Sequence, residues 1–255
     1  MLLGLRFRLP SWFALAGLLA GLGAAAAYAG EAPRPVVVEL YTSQGCSSCP
    51  PADALLGRLA QRPDVLALSL PVTYWDMLGW KDTLASPGNT SRQKAYAAAM
   101  GRGGVYTPQI VVDGINDIVG SRENDVRSAV AAREADMQAV PVAVTLTPAE
   151  VHVAVGAAKS NPGGNATIWM FRIRPEATVR IGSGENSGRT VTYRNVVRAV
   201  EAIGLWKGKP VSLDLPRNAM GAGMQDGIAV VVQQKGHGRI LGASHIDLPQ
   251  LAHAR

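Results

Sequence analysis

Apolar positions fall into several distinct patterns along the 255-residue chain. Residues 36–41 (VVVELY) form a β-branched run that predicts a buried strand, and residues 65–70 (VLALSL) predict a second. Between them Ala52, Leu55, Leu56 and Leu59 recur at helical spacing until Pro63 stops the helix. A helix is predicted over 90–100. A Thr-Pro pair at 107–108 then opens a strand, and Asp113-Gly114 makes a tight turn into residues 115–119. Residues 121–137 read as a helix with Val126, Ala129, Val130 and Met137 on its apolar side.

After Val140 the period changes. Residues 141–147 and 151–155 alternate apolar and polar positions, with a turn at Pro148 between them. Residues 166–173, 227–234 and 239–246 continue the short-strand pattern, separated by Gly, Pro and Asn. Residues 193–203 fit either a helix or a long strand. Several short strands of this kind predict a β-sandwich-like module. There is no repeat and no low-complexity linker, so the boundary near 137–141 is expected to be tight.

The N-terminus has a pattern of its own. Arg6 and Arg8 precede an almost uncharged run over 9–27, and Ala27-Tyr28-Ala29 places small residues where a signal peptidase reads. This predicts a secretory signal over 1–29, cleaved after Ala29, and a periplasmic or secreted chain with no stable membrane span left. An uncleaved anchor is the alternative, because the run approaches membrane-spanning length. Losing Arg6 and Arg8 lowers the formal net charge from +6 to +4 (6 − 2). The basic residues are neither concentrated nor interleaved with aromatics, so nucleic-acid binding is not expected.

Both cysteines lie in one motif, Cys46-Ser47-Ser48-Cys49, between the first strand and the first helix. An exported chain stabilised by disulfides would carry several, and a bridge closing so short a loop constrains the unfolded chain little. Chemistry explains the pair better than stability does. Free N–H groups and the dipole at a helix N-terminus favour a thiolate. Cys46 is thus the expected exposed nucleophile and Cys49 the inward-facing resolving thiol.

Strand, CxxC, helix, strand, insertion, Thr-Pro hairpin and helix, in that order, resemble the thioredoxin superfamily. The resemblance implies a cis proline at Pro108 lying against the cysteines. It also implies that Thr107 pairs through its backbone with an extended substrate peptide. The chain departs from thioredoxin in lacking a Trp before Cys46 and in having Ser47-Ser48 between the thiols, which leaves redox direction open. Four stretches, VVVELYTSQGCSSCPPADALL, TYWDMLGWKD, YTPQIVVDG and GENSGRTVTYRNVV, are similar to the exported bacterial family catalogued as domain of unknown function 1223. The expected fold is an α/β thioredoxin-like domain with a helical insertion over 30–140. A mostly β, sandwich-like domain over 141–255 follows it.

The expected function is an exported thiol–disulfide oxidoreductase acting on protein or peptide thiols and disulfides, with an unidentified redox partner and no cofactor. One alternative is a non-catalytic periplasmic binding protein with a structural disulfide. Another is copper binding or delivery, for which Met220 and Met224 offer thioethers at i, i+4. Structural zinc needs four N or S ligands, whereas His152, His237, His245 and His253 all lie far along the chain from the CxxC, so no metal site is assigned. The thioredoxin-like resemblance makes Glu39, inside an apolar strand, a candidate proton relay to the resolving thiol. The alternative is a side chain that reaches water at the strand end or pairs with an arginine, and one-residue register decides between them. Trp75, in the cluster 74–80, either lines a peptide groove or anchors the insertion. The Gly-rich stretch 181–190 lacks the ending and spacing of a nucleotide loop and reads as a hairpin turn. The arginines over 172–198 read as a solvated sheet face. The Asp, His and Ser of the later half show no hydrolase spacing. That half is expected to shape or cover the dithiol groove, or to dock a partner.

Overall fold

A computed structural model describes residues 34–134, 140–158, 164–217 and 227–247. The predicted signal segment over 1–29 lies outside the described residues, as do Met137, Met220, Met224 and His253. Among the described residues no helix is long and apolar enough to cross a membrane.

The first strand, β1 (Val36–Thr42), is buried on both faces. It runs parallel to β2 (Val65–Pro71) and antiparallel to β3 (Gln109–Val112), which turns through Asp113-Gly114 into β4 (Asn116–Val119). Three helices lie between or after these strands: α1 (Pro50–Leu59), α2 (Pro87–Ala99) and α3 (Glu123–Glu134). Each starts as its sequence dictates. Prolines in the first turn of α1 and α2 forfeit N–H groups that would have no partner there, and the Ser86 side chain caps α2 by accepting from the Asn89 N–H.

The alternation of β1 decides what each helix covers. Val36, Val38 and Leu40 face α1 and α3, packing on Leu55, Leu56, Leu59, Val126 and Val130. Val37 and Tyr41 face the other way, toward Tyr96 of α2. Full burial of each of these large apolar side chains contributes roughly 2 kcal/mol before entropy is counted.

The later strands do not form a separate unit. β7 (Ala166–Arg180) and β8 (Thr190–Trp206) make a long hairpin, and β8 continues the first sheet by pairing in parallel with β2 at Ser69 and Val196. β10 (Gly227–Gln234) and β11 (Ile240–Asp247) complete one eight-stranded sheet in the order β11-β10-β7-β8-β2-β1-β3-β4. A three-stranded sheet, β5 (Val142–Leu146), β6 (Glu150–Val155) and β9 (Val211–Pro216), packs on one face of it. Val151, Val153 and Val155 meet Ile168, Met170, Val230, Val232 and the buried Trp206 there. The opposite face of β10, through Ala229 and Val231, joins the core under α2. The described residues therefore belong to one compact unit, and the boundary expected at 140/141 divides nothing. The change of period there is real, but β7 and β8 return to the first sheet. The ambiguous stretch 193–203 is strand, inside β8.

Candidate functional site

Cys49 is the N-cap of α1, and its carbonyl accepts from the N–H groups of Ala52 and Asp53 at 2.9 and 3.1 Å. Cys46 and Cys49 form a disulfide with a Cα–Cα separation of 5.4 Å. The hydroxyl of the exposed Ser48 stands 3.4 Å from Cys46 Sγ. The positive end of the α1 dipole and the Ser48 hydroxyl favour a thiolate once the bond is opened, although the first-turn N–H groups are absent at Pro50 and Pro51 or taken by the Cys49 carbonyl.

The insertion expected to contain an aromatic cluster wraps this motif. It holds a single 3-10 turn, Asp76–Leu78. Trp75 Nε1 donates to Thr107 Oγ1 at 2.8 Å, and the Trp75 Cβ lies 3.2 Å from where a side chain on Gly45 would begin. Trp80 Nε1 donates to Gln44 Oε1 at 2.7 Å. The buried Asp82 accepts from the N–H groups of Gln44, Leu84 and Ala85 at 2.8, 2.8 and 3.1 Å. The Thr107–Pro108 peptide bond is cis. Pro108 and Ala52 both crowd Gly120, each placing its Cβ 3.1 Å from the point where a Cβ on Gly120 would stand. Trp75, Thr107, Pro108 and the start of α1 are thus assembled around one spot.

Two expectations need correction. Cys46 is not the exposed sulfur: it and Cys49 are both 0 % exposed. The covering group is the turn joining β7 to β8. Asn186, buried, donates from Nδ2 to the carbonyls of Gln44 and Cys46 at 3.0 and 2.8 Å. Glu185 Oε2 accepts from the Ser47 N–H at 3.1 Å. Sequence reasoning identified 181–190 as a turn, but only the return of β8 beside β2 brings it over the cysteines.

Glu39 is not placed to relay protons. Its register, shared with Val37 and Tyr41, turns it onto the α2 face, away from α1. There the buried Arg92 grips it, and Tyr41 and Tyr96 donate to it at 3.1 and 2.7 Å. Burial pushes both tyrosine hydroxyls well above their ordinary range, and the adjacent Glu39 charge adds to the effect. The titratable acid on the α1 side is Asp53, one helical turn beyond Cys49 on the same helix face. It is buried, and its Oδ1 has no hydrogen-bond partner. Burial raises its carboxyl to about 7, opposed by the Thr42 side chain and reinforced by the Asp82 charge. An Asp following Pro-Pro-Ala in a first helical turn resembles ordinary N-terminal charge, so the sequence did not single it out.

The three-stranded sheet holds a second constellation that the sequence hid. His152 and Asp214 pair across β6 and β9 through Nδ1 and Oδ1, and His152 Nε2 lies 3.4 Å from Ser212 Oγ. The order matches a nucleophile, base and orienting acid, yet the three stand on an open sheet face. A carbonyl bound there would meet water rather than converging N–H donors, so acyl transfer lacks its main stabilising element. Among the described residues no group of His, Cys, Asp or Glu is arranged to hold a metal ion.

A family model described as "Protein of unknown function (DUF1223)" matches residues 37–233. A crystal structure of a protein from Agrobacterium tumefaciens is 37 % identical, with 86 % of this chain and 97 % of that one covered and a TM-score of 0.73. HBP35 of Porphyromonas gingivalis shares the fold at 12 % identity and a TM-score of 0.57, covering 85 % of this chain and 76 % of its own. No curated protein matches. The match spans the cysteine motif, the aromatic insertion, the cis-proline strand and the covering turn together, and the chain belongs to the DUF1223 family of proteins of unknown function.

Proposed function

We propose that the protein is a thiol–disulfide oxidoreductase of thioredoxin-like design, exported by the signal over 1–29 to an oxidising compartment. The observation that carries the reading is the Cys46–Cys49 disulfide at the N-cap of α1, with Trp75 packed at Gly45 and bonded to Thr107, and with Pro108 and Ala52 of α1 both closing on Gly120. In the oxidised protein a partner thiolate attacks Cys46 Sγ, the Cys46–Cys49 bond breaks, and Cys49 leaves as a thiolate and takes a proton. A second partner thiolate then attacks the mixed disulfide and releases Cys46, so the partner is oxidised by two electrons and the protein reduced by two. A separate dithiol or disulfide protein restores the starting state. In the opposite direction the Cys46 thiolate attacks a partner disulfide and Cys49 resolves the intermediate. Asp53 is suited to exchange the Cys49 proton, being buried one turn away with a carboxyl that titrates near 7.

The test is alkylation of the reduced protein against pH, combined with trapping. Cys46 should react as a thiol with a pKa well below the ordinary value of about 8.5. The Cys49→Ser variant should accumulate a mixed disulfide through Cys46. Sluggish thiols that stay bridged under glutathione-strength reductant would end this reading. They would favour a binding protein with a structural disulfide, the alternative that the burial of both sulfurs supports.

A further inference from the structure

The turn over Cys46 is held by side-chain contacts to the main chain of the cysteine loop and the insertion. Three groups seat it: Asn186 on two carbonyls of the cysteine loop, Glu185 on the Ser47 N–H, and the Ser183 hydroxyl on the Gly79 carbonyl. Trp80 packs against it at Gly182 and Gly184. A Cβ on Gly182 would stand 2.9 Å from the indole ring, and Gly184 adopts φ +78°, so glycine permits this close approach. The orientation of the Asn186 amide is fixed by its surroundings, because Oδ1 turned toward two carbonyls would meet only acceptors. The cost is visible at its other end. Asn186 Oδ1 is buried without a partner, which weakens the seat.

We propose that the 182–188 turn is an internal stand-in for a partner polypeptide, and that Asn186 is the specificity-determining residue that decides what reaches Cys46. The inference rests on the dithiol reading above. The carbonyls of Gln44 and Cys46 are main-chain acceptors beside the reactive sulfur, the latter also accepting from the Cys49 N–H, and Asn186 offers them the two N–H donors of an amide. An extended segment presenting main-chain N–H groups satisfies the same acceptors when the turn lifts, whereas a small thiol brings no such donors and must wait for spontaneous opening. The turn thus favours polypeptide thiols over free low-molecular-weight ones.

The experiment measures reduction of the native disulfide in the wild type and in Asn186→Ala. One reductant is dithiothreitol; the other is an unstructured cysteine-containing peptide, with and without backbone N-methylation beside its cysteine. Removing two hydrogen bonds should speed dithiothreitol reduction about thirtyfold, with a smaller gain for the peptide. N-methylation should slow the peptide on both proteins, because the Gln44 and Cys46 carbonyls remain as its acceptors in the variant. Glu185→Ala, at an exposed position, should raise the dithiothreitol rate about threefold and serves if Asn186→Ala folds poorly. Hydrogen exchange at Ser47 and the turn reports opening independently of sulfur chemistry. Equal rates in all proteins, with unchanged exchange, overturn the stand-in while leaving a working dithiol intact. Absence of reduction in every variant removes the dithiol reading and this proposal together.

Discussion

Arg92 and Glu39 meet as a bidentate pair in the interior, with Nε to Oε2 at 2.6 Å and Nη2 to Oε1 at 2.9 Å. The guanidinium also lies over the rings of Tyr96, Trp169 and Phe171 at 5.1, 5.4 and 5.0 Å, and Gln233 Oε1 accepts from Nη2 at 3.0 Å. A charge so enclosed needs its counter-charge. Glu39→Gln should therefore destabilise the fold by about 3 kcal/mol or more in urea unfolding, because it strands the arginine. Replacing both residues with Met removes the stranded charge, so it should cost less than the sum of the two single changes, although the Tyr41 and Tyr96 hydroxyls lose their shared acceptor. The alkylation profile of Cys46 should stay where it is in Glu39→Gln, since the carboxylate sits on the other face of β1.

Asp53 gives a pH signature. Its carboxyl titrates near 7 in the folded chain, against an ordinary value of 3.8. Between those values the folded state holds a proton that the unfolded state has lost, so stability falls as pH rises from about 4 to 7 and is level above. The full effect is on the order of 4 kcal/mol. Asp53→Asn should remove most of that slope. Melting temperatures of the two proteins should agree near pH 4 and diverge by several degrees at pH 8; parallel curves would show that Asp53 is not the group responsible.

Gly114 and Gly101 separate backbone conformation from crowding. Both have positive φ, +75° and +66°. A methyl on Gly114 would stand 2.3 Å from the Gly238 carbonyl oxygen, whereas one on Gly101 meets nothing within 4 Å. Gly101→Ala should cost about 1 kcal/mol, the left-handed penalty alone. Gly114→Ala should cost roughly 3 kcal/mol or more, because the β3–β4 turn must pull away from Gly238. Chemical denaturation of the two variants checks the order.

Trp75 ties the cysteine loop to the cis-proline strand through its hydrogen bond to Thr107. Trp75→Phe keeps an aromatic ring but removes the donor, and should lower stability by about 1 kcal/mol. Under the proposed function it should also slow exchange with a peptide disulfide several-fold, because Thr107 is no longer held in place. The pH at which Cys46 alkylates should not move. A parallel loss of thiol reactivity would assign the indole to the thiolate instead.

What the chain declares locally, it declares well. The short apolar runs at 36–42, 65–71 and 227–234 are strands, β-branched in the first and last and Leu-rich in the second, because such segments suit a pleated, buried surface wherever the strand is placed. The helix after Cys49 follows from apolar spacing and from prolines at its first turn. The family resemblance was legible too, in motifs spread along much of the chain. Residues 193–203 were not, because a strand covered unevenly on its two faces loses the clean period of two.

The site divides along the same line. That the two cysteines stand at the head of a helix is written in short-range order; that a Thr-Pro strand lies against them was only what the family resemblance implied. Which face Glu39 takes is a matter of one-residue register. That Asp53 is left buried, that β8 lies beside β2, and that Asn186 lands on the Cys46 carbonyl all depend on residues far apart in the chain. Hydrophobic period encodes what a segment is, but only the packing of segments against one another decides which polar groups are covered, paired or left to react.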